Sequence, residues 1–202
     1  MAAKLNYIIP TQKFELIRDS IGVILATEIA NQKLLTSNNL FDAVTYLERF
    51  VAFDPTELPA INVVYNDTKF TNQDMVSQTG ENTYYIDVVT SAEDSSTMRG
   101  DKQASINCHK LLGVIRTILS AGEYRFLGLA QGIVQTKTIS SISISQPSSN
   151  SDSLHVISGR LEIKIKANES NNDLPSIDLT EIFSNFTIEE TNFGNKITIL
   201  NN

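Results

Sequence analysis

Two stretches of the chain repeat apolar side chains every three or four positions, over residues 11–35 and again over about 97–121. This is the period of a helix with a buried face. The first stretch contains the run Ile21–Ala26, which is apolar on most sides. A helix with one wet face does not need such a run, so we expect the first helix to pack against a sheet and against another subunit. Pro10 and Thr11 predict its start, with Thr11 as N-cap.

Shorter stretches with alternating apolar and polar residues predict strands. The clearest is 155–167, where His155, Ile157, Leu161, Ile163 and Ile165 share one phase with polar and charged residues between them. It should have one buried and one wet face. The other predicted strands are 43–51, for which a short helix is an alternative, 61–65, 82–92 and 133–144.

Two of these strands carry a further signal. Residues 82–92 are apolar on both faces, which predicts a central position in the sheet. Residues 133–144 change phase near Ser140 and Ser141, which predicts a β-bulge or a bend. The strand 61–65 is expected to end at Asn66 and Asp67.

The order of the elements predicts an α+β fold, with a mostly antiparallel sheet packed by two long helices and followed by a C-terminal arm. Residues 1–167 form the predicted domain. Residues 168–202 form a polar linker and the arm, which contains a short helix from Asp178 and a hairpin of residues 186–190 and 196–200. Because an isolated hairpin is marginal in water, we expect the arm to serve assembly.

Composition excludes several classes of protein. Acids outnumber bases by 23 to 16, and the net charge is −7. Nonspecific nucleic-acid binding requires many cations, so a DNA-coating role is not expected. No apolar run reaches the roughly 18 residues of a membrane span, and residues 1–10 lack the apolar core of a signal peptide. The single cysteine excludes a disulfide framework.

The catalytic inventory is small. Cys108 and His109 are neighbours on a helix and point about 100° apart, so the sequence favours a core cysteine beside a solvated histidine. His155 fits a strand-end or interface position better than an acid–base role. One cysteine and two distant histidines do not have zinc-ligand spacing. We predict no enzyme activity and no catalytic, cofactor-binding or metal-binding residues.

Two further patterns have plain structural interpretations. Arg99–Gly100–Asp101 spells an integrin-binding tripeptide, but it opens a helix. Tyr84 and Tyr85, together with basic residues on the strand 155–167, could stack single-stranded nucleic acid. The acidic net charge argues against this, and core packing of Tyr84 with solvated Lys164 and Lys166 is the better interpretation.

The segment from Tyr46 to Tyr65 reads YLERFVAFDPTELPAINVVY. It follows a long helix and precedes the strand around residues 83–89, a second long helix and the strand around 159–166. This segment and this order of elements resemble the tail terminator (tail completion) proteins of tailed bacteriophages. The resemblance covers residues 12–167 and rests on the Leu58–Asn62 piece and on the order of the elements.

The resemblance implies a homo-oligomeric ring in the virion, at the tail and neck. The expected ring size is a hexamer. Such a ring caps the tail tube and joins it to the head, with the tube protein and a neck or head-completion protein as partners. DNA passes through the lumen without specific binding, and no membrane is involved. The chain itself would be made in the cytoplasm of the host bacterium.

Two alternatives remain open at the sequence level. One is another neck or tail component, such as a head-closure or tube protein. The other is a small ligand-binding α+β module, which predicts a monomer or dimer with a defined pocket. The solution mass of the chain separates these alternatives from a closed ring.

Overall fold

The computed structural model describes residues 8–71, 78–145, 154–170, 186–191 and 194–199. The chain divides into two compact units, one of Thr11–Asn171 and a second that includes the C-terminal hairpin. The helices and strands of the first unit, in chain order, are α1 (Lys13–Thr36), β1 (Val44–Leu47), β2 (Ala60–Phe70), β3 (Thr79–Glu93), α2 (Gly100–Ser120), β4 (Val134–Ser145) and β5 (Leu154–Asn168). In the second unit, β6 (Phe186–Thr191) pairs antiparallel with β7 (Gly194–Ile199).

The five strands of the first unit form one mixed sheet in the order β1-β2-β3-β5-β4. β1 runs parallel to β2, and the remaining pairs are antiparallel. α1 packs on β1 and β2, α2 packs on β3 and β5, and most of β4 is exposed. The expectation of a mostly antiparallel sheet packed by two long helices is therefore wrong: the sheet is mixed, and its last strand extends past the helices.

The parallel pair follows from the connector between β1 and β2, residues 48–59. Two parallel neighbours require a crossover of about a dozen residues, because the chain must return to the end where the first strand began. The connector has this length and contains a short 3-10 helix, Pro55–Glu57. Nothing in the alternation of the two strands encodes this return, which is why the pattern did not reveal it.

The core lies between the helices and one face of the sheet. β3 is the central strand, as predicted, and its Tyr84, Ile86 and Val88 are fully buried. β5 confirms its predicted phase: Ile157, Leu161, Ile163, Ile165 and Ala167 are buried, and Arg160 and Lys166 are exposed. The phase change in β4 is a register shift between Ile139 and Ser141. The opposite face of the sheet, which we call the open face, has no α-helix packed on it among the described residues.

Three predicted boundaries are wrong for local reasons. β2 continues to Phe70 because Asn66 is taken up in a register shift between Tyr65 and Asp67. α1 is capped by Gln12 rather than Thr11: the Gln12 N–H donates to Glu15 Oε2 (2.9 Å) in a capping box. α2 begins at Gly100 because the Gly100 N–H donates to Asp94 Oδ1 (2.7 Å).

The chain stays in contact with the sheet beyond β5. The Glu169 N–H donates to the Gln78 carbonyl (2.8 Å), and Ser170 is buried. The predicted terminal hairpin is present as β6 and β7, whereas the predicted short helix from Asp178 lies outside the described residues. The domain boundary at 167/168 and the role of the arm stay predictions.

Candidate assembly surface

Both outer strands of the sheet leave a backbone edge unpaired among the described residues. β1 forms one edge and β4 the other. Unpaired edges are templates for pairing with another chain. Each edge also carries exposed apolar side chains, Val44 and Leu47 on β1 and Ile142 and Ile144 on β4. β1 is short and packs against α1, whereas β4 is longer, runs in the opposite direction and extends past the helices. The two edges are therefore two different surfaces.

Helix α1 extends the apolar surface next to β1. Its buried side faces the sheet, and Gly22 allows a close approach, since a Cβ there would lie 2.5 Å from Leu47 Cδ2. Its outer side carries Val23, Ala26, Ala30 and Leu34 at steps of three and four residues, and all four are exposed. A helix in contact with solvent usually presents polar residues there. The outer side of α1 is thus an apolar stripe that no other described segment covers.

This stripe borders an open groove of about 560 Å³. Its walls are α1, through Ala26, Ala30 and Leu34, and the start of β1, through Val44. Phe41 also lines the groove, and Lys110 Nζ lies 5.9 Å from the centroid of its ring. We call this the α1–β1 groove.

A second apolar feature lies on the loop that follows β1, residues 48–53, which we call the anchored loop. Phe50 and Val51 at its tip are 79% and 75% exposed. A single exposed apolar residue is ordinary. Phe50 and Val51, by contrast, are two large apolar residues side by side on one loop. The residues on either side of them are held in place by several polar contacts.

Asn62 of β2 holds the backbone of the anchored loop. Its Oδ1 accepts the Arg49 N–H (3.1 Å) and its Nδ2 donates to the Arg49 carbonyl (2.8 Å), so the amide acts as a strand partner. Asn62 is 4% exposed, and both halves of its amide are satisfied. Glu48, just before, has a left-handed φ of 53°, and its N–H donates to the Val63 carbonyl (3.0 Å).

The Arg49 side chain holds the rest of the loop. Its guanidinium donates to both Glu57 carboxylate oxygens (2.8 and 2.7 Å) and lies over the rings of Tyr46 (4.8 Å) and Phe53 (4.4 Å). Glu57 Oε2 also accepts the Asp54 N–H (2.8 Å). A planar, bidentate and stacked arginine is a strong geometric constraint. The loop is therefore ordered while its tip projects into solvent.

The anchored loop lies on the open face of the sheet. Asn62 pairs in register with Asp87, and Asp87 with Arg160, whose guanidinium donates to Asp87 (2.6 and 2.8 Å). The loop, Arg160 and Ser143 and Ser145 of β4 line one cleft of about 650 Å³. The loop tip and the β4 edge therefore border the same cleft, on the opposite side of the sheet from the helices.

The pKa of Glu57 is lowered, chiefly by the hydrogen bonds from Arg49 and then by the Asp54 N–H. A carboxyl whose pKa is lower in the folded protein than in the unfolded chain stabilises the folded loop fully at pH values above its unfolded pKa of about 4.3. This stabilisation is lost as the pH falls from there through the folded pKa. We expect the protection factor of the Arg49 amide to stay constant from pH 7 to about 4.3 and to fall below that. Hydrogen exchange corrected for intrinsic rates measures this.

The Glu57→Gln variant is the control for this prediction, because it removes the titrating group and keeps the shape. Its Arg49 protection factor should be lower than that of the unchanged protein at neutral pH and flat on acidification. A wild-type protection factor that declines well above pH 5 would contradict the assignment to Glu57.

The structure places the sequence candidates apart from one another. Cys108 is buried against the sheet, and burial raises the pKa of its thiol to about 11, while His109 is exposed. His155 lies at the start of β5, with Nε2 3.3 Å from Asp94 Oδ1. Tyr84 is fully buried and its hydroxyl donates to the Phe14 carbonyl (2.8 Å). The core interpretation of Cys108 and Tyr84 is confirmed.

Arg99–Gly100–Asp101 is not presented as a flexible loop. Gly100 is buried at the first turn of α2, and Arg99 pairs with Asp101 at 3.1 Å. No group of histidine, cysteine and acidic side chains within the described ranges could hold a metal ion. None of the helices in those ranges combines the length and apolar character needed to cross a membrane.

Sequence analysis missed the anchored loop. The predicted strand over 43–51 is too long, because β1 ends at Leu47 and Phe50 and Val51 lie on the loop that follows. The available signal was their position directly before a connector with two prolines, where a strand cannot continue. The apolar circumference of the first helix predicts a contact outside the core, and its exposed part is the stripe described above.

No protein-family model matches the sequence, and no curated protein matches it. Among solved structures, the chain is similar to a chain of the virion of a native gene transfer agent (GTA) particle. The TM-score is 0.41 and the sequence identity 10%, over 68% of this chain and 90% of that chain. The tail terminator family stays an expectation from the sequence.

Proposed function

We propose that the protein is a structural virion component of a tailed bacteriophage, a ring that caps the tail tube and joins it to the neck. The observation that carries the proposal is the pair of unlike apolar edges on one subunit. Two different surfaces that meet give a head-to-tail contact, and such contacts close into rings when the rotation between subunits allows it. A hexamer is the ring size that the family resemblance implies.

The segment that carries the resemblance supports the same function. Residues 46–65 comprise the second half of β1, the connector with the anchored loop, and the first half of β2. The exposed loop tip lies within this segment, and the residues of the α1–β1 groove lie directly before it. The resemblance therefore falls on the part of the chain that offers a surface to a neighbour. The tube protein and a neck or head-completion protein are the other proposed partners.

The charge of the chain is compatible with a ring around passing DNA. With a net charge of −7, the subunit has a repulsive long-range field toward phosphates. A lumen that does not bind DNA tightly lets it slide, since tight nonspecific binding needs many cationic contacts. The proposed role needs no catalysis and no cofactor.

The solution mass tests this proposal. Light scattering should give about six times the 22.3 kDa chain mass, with closed rings in negative-stain electron micrographs. Val23→Glu places a charge on the exposed stripe of α1 and should reduce the mass to that of a monomer at the same concentration, since charges in the centre of an interface are unfavourable. Thr117→Glu, at an exposed position of α2, is the matched control and should keep the ring.

The other outcomes have separate meanings. A strict monomer at high concentration contradicts a preformed ring and favours the small ligand-binding module. Stacked tubes instead of single rings contradict the terminator role and favour a tube protein. Rings that persist in the Val23→Glu variant would show that the stripe lies outside the subunit contact.

A further inference from the structure

We infer that the tip of the anchored loop, Phe50 and Val51, inserts into the α1–β1 groove of the next copy of this chain. The inference rests on the proposed ring and names one contact within it. Three features support it: the order of the loop, the open apolar groove, and the opposite charge of their surroundings.

The anchored loop is ordered before it binds. Arg49 is held by Asn62 through its backbone and by Glu57 through its side chain. Ordering an interface loop on binding costs free energy, and a loop that is already ordered avoids that cost. Aromatic side chains are enriched at protein–protein interfaces relative to the rest of the surface. Phe50 therefore has the properties of an anchor, and Val51 adds apolar area beside it.

The α1–β1 groove offers a matching surface. Its α1 wall is built from Ala26, Ala30 and Leu34, with two small side chains that leave space beside a large one. Leu34 is 83% exposed and Val44 is 50% exposed, so the free subunit leaves apolar area in water. Removing such area from water favours association.

The charges around the two features have opposite sign. Around the loop, Glu48, Asp54 and Glu57 stand against Arg49, and the paired charges of Arg18 and Asp19 beside Glu48 cancel, which gives −2. At the groove, Lys33 and Lys110 stand against Asp42, which gives +1. A partner of the same sequence thus brings a negative rim to a positive one, and this complementarity favours the register in which the loop tip faces the groove.

The position of the two features gives the contact a direction. The loop lies on the open face and borders the cleft shared with β4, whereas the groove lies between β1 and a helix on the other face. One copy can therefore offer its loop to a second copy and its own groove to a third. This is the head-to-tail arrangement that a ring requires.

Paired cysteines test the contact in the full chain. Val51→Cys combined with Ala30→Cys should form intermolecular disulfides on mild oxidation, and denaturing gels should show a covalent ladder up to the ring size. Cys108 is buried with a raised thiol pKa, so it should not react under these conditions. Val51→Cys combined with Thr117→Cys is the matched control and should give no ladder, because Thr117 lies on the exposed side of α2.

The outcomes separate this inference from the proposed ring. Rings by electron microscopy without a covalent ladder would overturn the loop-to-groove contact and leave the ring intact. A ladder in a sample of open chains would support the contact and contradict the closed ring. A covalent product that stops at two chains would overturn the head-to-tail direction, since it indicates a reciprocal contact across a two-fold axis.

Discussion

The Ile163→Asp variant is expected to lose roughly 3 kcal/mol or more of its free energy of unfolding. Ile163 is fully buried on β5, and it pairs in register with Tyr84 of β3 and Ile139 of β4. A carboxylate there would have no described cation beside it, and burying an unpaired charge is among the most destabilising single changes. Chemical denaturation followed by circular dichroism measures the loss.

Lys164→Asp is the matched control, one residue further along the same strand. The Lys164 side chain points to the open face, is 38% exposed, and lies 3.8 Å from Glu162. Exposed ion pairs contribute little, so its replacement should cost under about 1 kcal/mol. Equal losses in the two variants would refute the assignment of β5 faces.

Gly100→Ala and Gly113→Ala are expected to change stability in opposite directions, although both lie in α2. A Cβ at Gly100 would lie 2.6 Å from the Ala92 carbonyl oxygen and 2.6 Å from His155 Cδ2. Because one obstacle is backbone, the start of α2 would have to shift, and we expect a loss of about 1–3 kcal/mol. At Gly113 nothing lies within 4 Å of the added atom, so alanine should stabilise the helix by about 0.5–1 kcal/mol.

Thermal unfolding of the two variants next to the unchanged protein gives the comparison. A lower melting temperature for Gly100→Ala together with a higher one for Gly113→Ala confirms the packing at the start of α2. If Gly100→Ala melts at the temperature of the unchanged protein, the contact between α2, the end of β3 and His155 is looser than described.

The sequence predicted best the elements whose faces have very different surroundings. β5 has a buried and a wet face along its whole length, so alternation alone gave its bounds to within one residue and its orientation. α2 follows the same rule, because its apolar stripe is buried. α1 was predicted from its helical spacing, although its exposed side is apolar as well. The bulge in β4 was predicted because a one-residue shift in a strand reverses which residues are apolar on a face.

What the sequence did not reveal depends on contacts between distant segments. The direction of β1 depends on the path of residues 48–59. Asn62 and Glu57 hold that path in one conformation through their bonds to Arg49. No local sequence pattern connects these residues. The end of β2 was placed too early because a polar Asn66 can be accommodated in a bulge. The exposure of Phe50 and Val51 likewise depends on tertiary structure, because the same two side chains could be buried in the core if β1 were longer.

The network around Arg49 also bears on how fast copies of the chain can associate. Protein pairs that need a conformational change before docking associate more slowly than the 10⁵–10⁷ M⁻¹ s⁻¹ typical of preformed surfaces. Because Glu57 and Asn62 order the loop in the same chain, folding alone completes the surface that we propose for the contact. The rate of assembly would then depend on the chain concentration and not on a search among loop conformations. Removal of the Glu57 carboxylate would lower the association rate constant.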